Sequence, residues 1–153
     1  MRAADPFAYR HELRAGLLKA VTHLPDAHWD WRPSGGVHCI RSWLRHLAQA
    51  EDWWIQVVVQ GRKDFQVPRR SRGNEQVEVL SYLEQTRAAT EAALRETTAW
   101  EEPRTLPTPA PAGLQGRTMT VYEVFHRVFQ HEVHHRAQVY LYLRLMGLEP
   151  PLA

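Results

Sequence analysis

Residues 120–147 read TVYEVFHRVFQHEVHHRAQVYLYLRLMG, and the spacing of apolar side chains in this stretch decides the fold. Val121, Val124, Val128, Val139 and Tyr142 recur at three- and four-residue intervals, the period of a helix with one inward face. Thr120 and Glu123 match a capping box, which places the helix start near Thr118 or Thr120. Gly147 and then Pro150 and Pro151 stop it after Met146. A helix of this length buries one face only against other helices, so similar segments are expected upstream.

Three are present. The first runs from about Asp5 to Leu24, with Asp5 as cap, Pro6 in the first turn, and Phe7, Leu17, Leu18, Val21 and Leu24 along one side. A second is expected from Cys39 to Gln60, with Ile40, Trp43, Leu47, Ala50, Trp53 and Val57 as its stripe and Gly61 as its stop. The third, Asn74 to Trp100, carries Val77, Leu80, Leu83, Thr90, Leu94 and Thr97 near one seam, with Asn74 as cap. Four prolines between Pro103 and Pro111, with Gly113 and Gly116 after them, exclude helix from the last connection, which is expected to be extended and superficial. No series of alternating strands and no repeat is visible. The reading is all-α: one four-helix bundle domain over residues 1–153.

Composition narrows the function classes. A net charge of +2, from 19 basic and 17 acidic side chains, is far from the basic footprint of a nucleic-acid binder. The run Arg62, Lys63, Arg69, Arg70 and Arg72, interrupted by Asp64, reads as a solvated connection, and nucleic acid is not an expected partner. No apolar run is long enough for a membrane span. The polar N-terminal Met1 to Pro6 lacks the apolar stretch of a signal peptide, so a cytoplasmic location is expected. The lone Cys39 excludes an intrachain disulfide and a four-thiolate zinc site.

Nine histidines are the chemical signal. His131 and His135 are one turn apart and about 40° apart in projection, so both rings can reach one ion. They lie on the inward stripe of the last helix. His46, three residues after Trp43 and four before Ala50, occupies the corresponding stripe of the second helix and is expected to point inward. Three neutral imidazoles on two facing helices meet the requirement of a metal centre with a position left for water or substrate. The other reading is a set of core histidines satisfied by hydrogen bonds, which His46 on an apolar stripe disfavours. Residues 131–135 also fit the H-E-x-x-H pattern of zinc proteases. No third-ligand extension follows and no sheet precedes it, so that match is read as accidental. Glu132 and His134 are candidate proton carriers beside the ligands. Arg136 and Gln138 could orient the substrate or a metal ligand but are read first as surface or helix-contact residues, and Trp53 as a wall of the pocket. Because imidazole must be neutral to bind a metal, binding is expected to weaken below roughly pH 6.

The run His131-Glu-Val-His-His135-Arg136-Ala137-Gln138, followed by Leu143-Arg144 and Gly147, resembles the C-terminal signature of the DinB/YfiT-like superfamily, and Ser42 to Leu47 resembles its second-helix motif. Ala137 stands where that family commonly has glycine. The resemblance implies an up-down-down-up four-helix bundle, often a homodimer, that holds a divalent metal, zinc or nickel, on three histidines. Carried to this chain, the ligands are His46, His131 and His135. It further implies a metal-dependent enzyme, a thiol transferase or hydrolase, that activates a low-molecular-weight thiol or water against a small-molecule electrophile. The alternative is a non-catalytic metal-binding, stress-associated dimer.

Overall fold

The computed structural model describes residues 5–64, 74–111 and 113–151. Four long helices carry it: α1 (Arg10–Val21), α3 (Ile40–Trp53), α4 (Gln76–Glu96) and α5 (Val121–Leu145). A single-turn α2 (Asp26–Trp29) follows α1 and plugs one end of the bundle with the fully buried Trp29, whose indole N–H donates to the Val21 carbonyl at 3.0 Å. Among the described residues no helix is long and apolar enough to cross a membrane.

α5 begins and ends as its sequence dictates. Glu123 N–H donates to the Thr120 hydroxyl at 3.1 Å, and Thr120 N–H donates to the Glu123 carboxylate at 2.7 Å. At the other end Gly147 takes φ 77°, a left-handed conformation that costs glycine little. That turn lets Gly147 N–H reach the Arg144 carbonyl at 3.0 Å and Leu148 N–H the Leu143 carbonyl at 2.8 Å, a Schellman closure. The expected inward residues Val121, Val124, Val128, Val139 and Tyr142 are all buried.

The other helices depart from the expected phase. α1 is shorter than Asp5 to Leu24; Asp5 instead caps the preceding turn by accepting Phe7 N–H at 2.9 Å. α3 continues as a π-helical segment, Trp54–Val59, whose wider turns rotate the following side chains. Already before that segment the inward face is shifted: Ala50 and Trp53 are only half-buried while Glu51 and Asp52 face inward, and beyond it Val57 is half-buried while Trp54, Ile55 and Val58 face inward. In α4 the buried seam is Val79, Tyr82, Leu83, Thr86, Thr90 and Ala93, and Val77 is 72% exposed. The cap of α4 is Glu75, boxed with Glu78, rather than Asn74.

The proline-rich connection is free of helix, as expected, but only its two ends are extended, in a ladder too short to leave an alternating pattern. Strands β1 (Pro103–Thr105) and β2 (Thr118–Thr120) pair antiparallel, with Arg104 opposite Met119. Leu106, 2% exposed, pins this ribbon to the bundle. Of the basic run before α4, Arg62 and Lys63 are exposed; Arg69, Arg70 and Arg72 lie outside the described residues.

The core has two apolar halves. One packs Leu17, Trp29, Leu44, Leu47, Leu83 and Leu143; the other packs Phe7, Ile55, Val58, Val124, Phe125 and Phe129. Between them in sequence on every long helix stands a charged side chain: Arg14 on α1, Glu51 on α3, Arg87 on α4 and Glu132 on α5. Arg14 Nη2 lies 2.7 Å from Glu51 Oε2 and its Nε 2.5 Å from Glu132 Oε1. Arg87 Nε lies 3.0 Å from Glu51 Oε1, and Arg87 Nη2 pairs with Glu132 Oε2. The four charges close a ring of alternating sign. Thr90 donates to Glu51 Oε1 at 2.7 Å, and Arg14 Nη1 donates to the Leu83 carbonyl at 2.8 Å. These partners satisfy Arg14, Glu51 and Glu132, groups that would otherwise be costly to bury, whereas Arg87 Nε and Nη1 are buried without a hydrogen-bond partner among the described residues.

Candidate metal centre

Helix geometry brings His131 and His135 together, since a four-residue step on α5 stacks their rings at a centroid distance of 4.4 Å. α3 supplies His46, whose ring lies 5.0 Å from that of His131 and 5.1 Å from that of His135. The Nε2 atoms of His46 and His131 are 3.2 Å apart, and those of His135 and His131 are 2.9 Å apart. One nitrogen of each ring lies within 4.8 Å of the other two. Ligand nitrogens about 2.0–2.1 Å from a tetrahedral zinc would be roughly 3.3 Å from one another. The three expected ligands therefore converge, and their donor set suits a borderline divalent cation.

The triad spans a gradient of burial. His135 is buried, His131 is half-buried and His46 is exposed, so His46 stands at the rim rather than pointing into the bundle as its stripe suggested. This placement leaves the convergence point near solvent on the flank of α3 and α5. Trp43, not Trp53, walls it: the Trp43 ring is 6.5 Å from that of His135, whereas Trp53 packs against Trp54 at 5.0 Å. Tyr142 lies 4.4 Å from Trp43 and donates its hydroxyl to the His38 carbonyl at 3.1 Å, tying the segment before α3 to α5.

Gln138 takes the orienting place that was the less favoured of its two sequence readings. His135 Nδ1–H donates to Gln138 Oε1 at 2.7 Å, which fixes the tautomer and leaves Nε2 as the free donor facing the other rings. Gln138→Ala is expected to weaken zinc binding by about 10- to 100-fold without loss of helicity, as read by competition with a chromophoric chelator. Arg136 does behave as a helix-contact residue, its guanidinium lying 5.6 Å from the Tyr140 ring centroid.

The two expected proton carriers part company. His134 is exposed, with its ring 5.1 Å from that of His135. Glu132 is fully buried with both oxygens held by the Arg14 and Arg87 guanidiniums. The structure thus places Glu132 in an ion network with the two guanidiniums, whereas His134 lies beside the ligand rings. The signal was present in the sequence: Glu132 lies four residues after Val128 and three after Phe129, within an inward stripe.

Electrostatics favour neutral imidazoles. Burial, then the neighbouring His135, His46 and His134, pushes His131 down to about 3. Burial likewise pushes His135 down to about 4, against the Gln138 hydrogen bond, which acts in the opposite sense. His46 is lowered as well, by burial of its ring and by His38. Protons therefore compete with a metal for His131 and His135 only near pH 4, well below the range near 6 expected from a free imidazole. Between pH 7 and 5.5 protonation of His131 and His135 should therefore cost zinc affinity little, where two unperturbed imidazoles of pKa about 6.5 would each cost about tenfold. Titrations buffered at those two values check this. The same shifts act on folding: below about pH 6.5 the unfolded chain binds protons on these histidines that the native state refuses until about 4. The metal-free protein accordingly loses stability as the pH falls through that window.

The chain is a helical bundle whose flank carries three convergent imidazoles able to hold a metal ion, and it belongs to the DinB family, whose pattern it matches over residues 3–153. Among solved structures it is similar to YfiT from Bacillus subtilis, described as a probable metal-dependent hydrolase with an unusual four-helix bundle topology. The two chains are 19% identical with a TM-score of 0.69, over 92% of this chain and 85% of YfiT, so they share the fold. No curated protein matches.

Proposed function

We propose that this protein is a metal-dependent enzyme in which His46, His131 and His135 hold one divalent ion, zinc or nickel. The observation that carries the proposal is the convergence of three ring nitrogens at a solvent-facing rim, with Gln138 fixing the tautomer of His135. Such an ion supplies a Lewis acid that lowers the pKa of water or of a low-molecular-weight thiol, making a nucleophile available at neutral pH. The chain's own groups do the rest. Trp43 excludes water on one side of His135, the exposed rim at His46 admits a small electrophile, and His134 carries protons between the site and solvent. The description of YfiT as a probable metal-dependent hydrolase supports attack by water. The family resemblance supports a thiol as the other nucleophile and extends the proposal to a cytoplasmic homodimer acting on a small molecule.

A second reading, a non-catalytic metal-binding protein, is favoured by one observation. A groove of about 810 Å3 between α1 and α4 is lined by residues such as Arg14, Leu80 and Arg87 and by none of the three histidines. Metal analysis of the purified protein, then assay of the zinc- or nickel-loaded form against ester and alkyl-halide electrophiles with and without added thiol, separates the two. Turnover that requires the metal and is lost in His131→Ala supports the enzyme. Stoichiometric metal without turnover supports the second reading, and absence of metal binding overturns both.

A further inference from the structure

We propose that the buried ring of Arg14, Glu51, Arg87 and Glu132 is a positioning device for the metal centre, setting the separation and register of the two helices that carry its ligands; this rests on reading the three histidines as those ligands. Each member of the ring comes from a different helix, and its carboxylates belong to the two ligand-bearing ones. Glu132 directly follows His131 and precedes His135 by three residues, so a displacement of its carboxylate moves both rings with the helix. Glu51 follows His46 by five residues on α3, about one and a half turns away. Each arginine touches both carboxylates. The guanidiniums thus hold together two anions that would otherwise repel, and fix the α3 to α5 distance at the level of the site.

Stability alone does not explain this arrangement. Well-packed apolar side chains of similar volume commonly stabilise a core as well as buried ion pairs do, while ionic contacts impose a tighter geometry. A site assembled from two helices needs its donors held to within about 0.5 Å, and short charge-assisted contacts give that precision. The bundle supplies an internal comparison. Arg10, 6% exposed, binds Glu91 through Nε at 2.7 Å and Nη2 at 2.8 Å, a partly buried two-pronged tie that joins α1 to α4 and touches neither ligand helix.

Cobalt(II) titration of the full chain tests the proposal, with affinity read by chelator competition, ligand geometry by the visible absorption of the bound ion, and unfolding midpoints measured beside them. Glu132→Gln, which keeps the shape and removes the charge, is expected to bind cobalt at least about tenfold more weakly and with an altered visible spectrum. Arg87→Lys, which keeps the charge and cannot span both carboxylates, is expected to fall between it and the native protein. Arg10→Gln is expected to lower the unfolding midpoint while leaving affinity within about twofold and the spectrum unchanged. Should Glu132→Gln fail to fold, Arg87→Lys carries the test by the same criterion. Native affinity and spectrum in the ring variants would overturn the proposal, as would an equal loss in Arg10→Gln. Cobalt bound by the native protein and lost in His131→Ala, with no effect of the ring, refutes the positioning role alone. A native protein that binds no cobalt refutes the metal centre and the positioning role with it.

Discussion

Replacing His131 by alanine is expected to abolish tight divalent-metal binding. Its Nε2 is the hinge of the triad, 3.2 Å from that of His46 and 2.9 Å from that of His135, and its removal leaves two donors on different helices. Structural zinc sites with four ligands bind with apparent free energies of about 10–16 kcal/mol, so one ligand is worth on the order of 3 kcal/mol, or more than about a hundredfold in affinity. His46→Ala and His135→Ala should behave alike. His23→Ala and His28→Ala should retain native affinity, because neither residue belongs to the convergent group. Calorimetric titration with zinc compares all five, and equal effects across them would contradict the assignment.

The second large effect concerns folding. Arg14→Ala leaves Glu51 and Glu132, both buried, sharing the single guanidinium of Arg87. Breaking a buried pair from one side costs about 3–5 kcal/mol, because the remaining charges stay desolvated. Arg41→Ala provides the contrast. Its partners Asp26 and Asp30 have side chains 66% and 55% exposed, and loss of such a pair costs about 1 kcal/mol or less. Urea unfolding of the two variants should therefore differ by several-fold in destabilisation, and similar midpoints would show that the ring is not a stability determinant.

How far the sequence could be read follows from where its patterns are local. In α5 the cap, the apolar stripe and the glycine stop all lie within the helix, and the structure follows them from Thr120 to Gly147. The four-helix bundle and the pairing of His131 with His135 were legible for the same reason, since each depends on a face of a single helix, whereas His46 comes from another helix and stands at the rim rather than on the inward stripe expected of it. The errors arise where partners are distant in sequence. Glu51 and Asp52 were not read as inward because charges face inward only when compensated, and their partners Arg14, Arg87, Thr90 and Tyr82 lie on other helices. The apolar stripe of α3 was consequently drawn through Ala50 and Trp53, one step out of phase, and the π-helical turn after Trp53 enlarged the discrepancy. Arg10 and Arg14 stand among Phe7, Leu13, Leu17 and Val21 on the buried face of α1, a pattern of cations inside an apolar stripe that marks a buried ion network in retrospect. Glu132 belongs to the same pattern, and its reading as a proton carrier rested on its position beside His131 in the chain rather than on its face of the helix.

The account is tested most directly by a crystal structure of zinc-loaded protein with anomalous data collected at the zinc edge. It predicts a single strong peak about 2.0–2.1 Å from Nε2 of each of His46, His131 and His135. A peak elsewhere, or full zinc occupancy with any of those three nitrogens outside bonding distance, would contradict it.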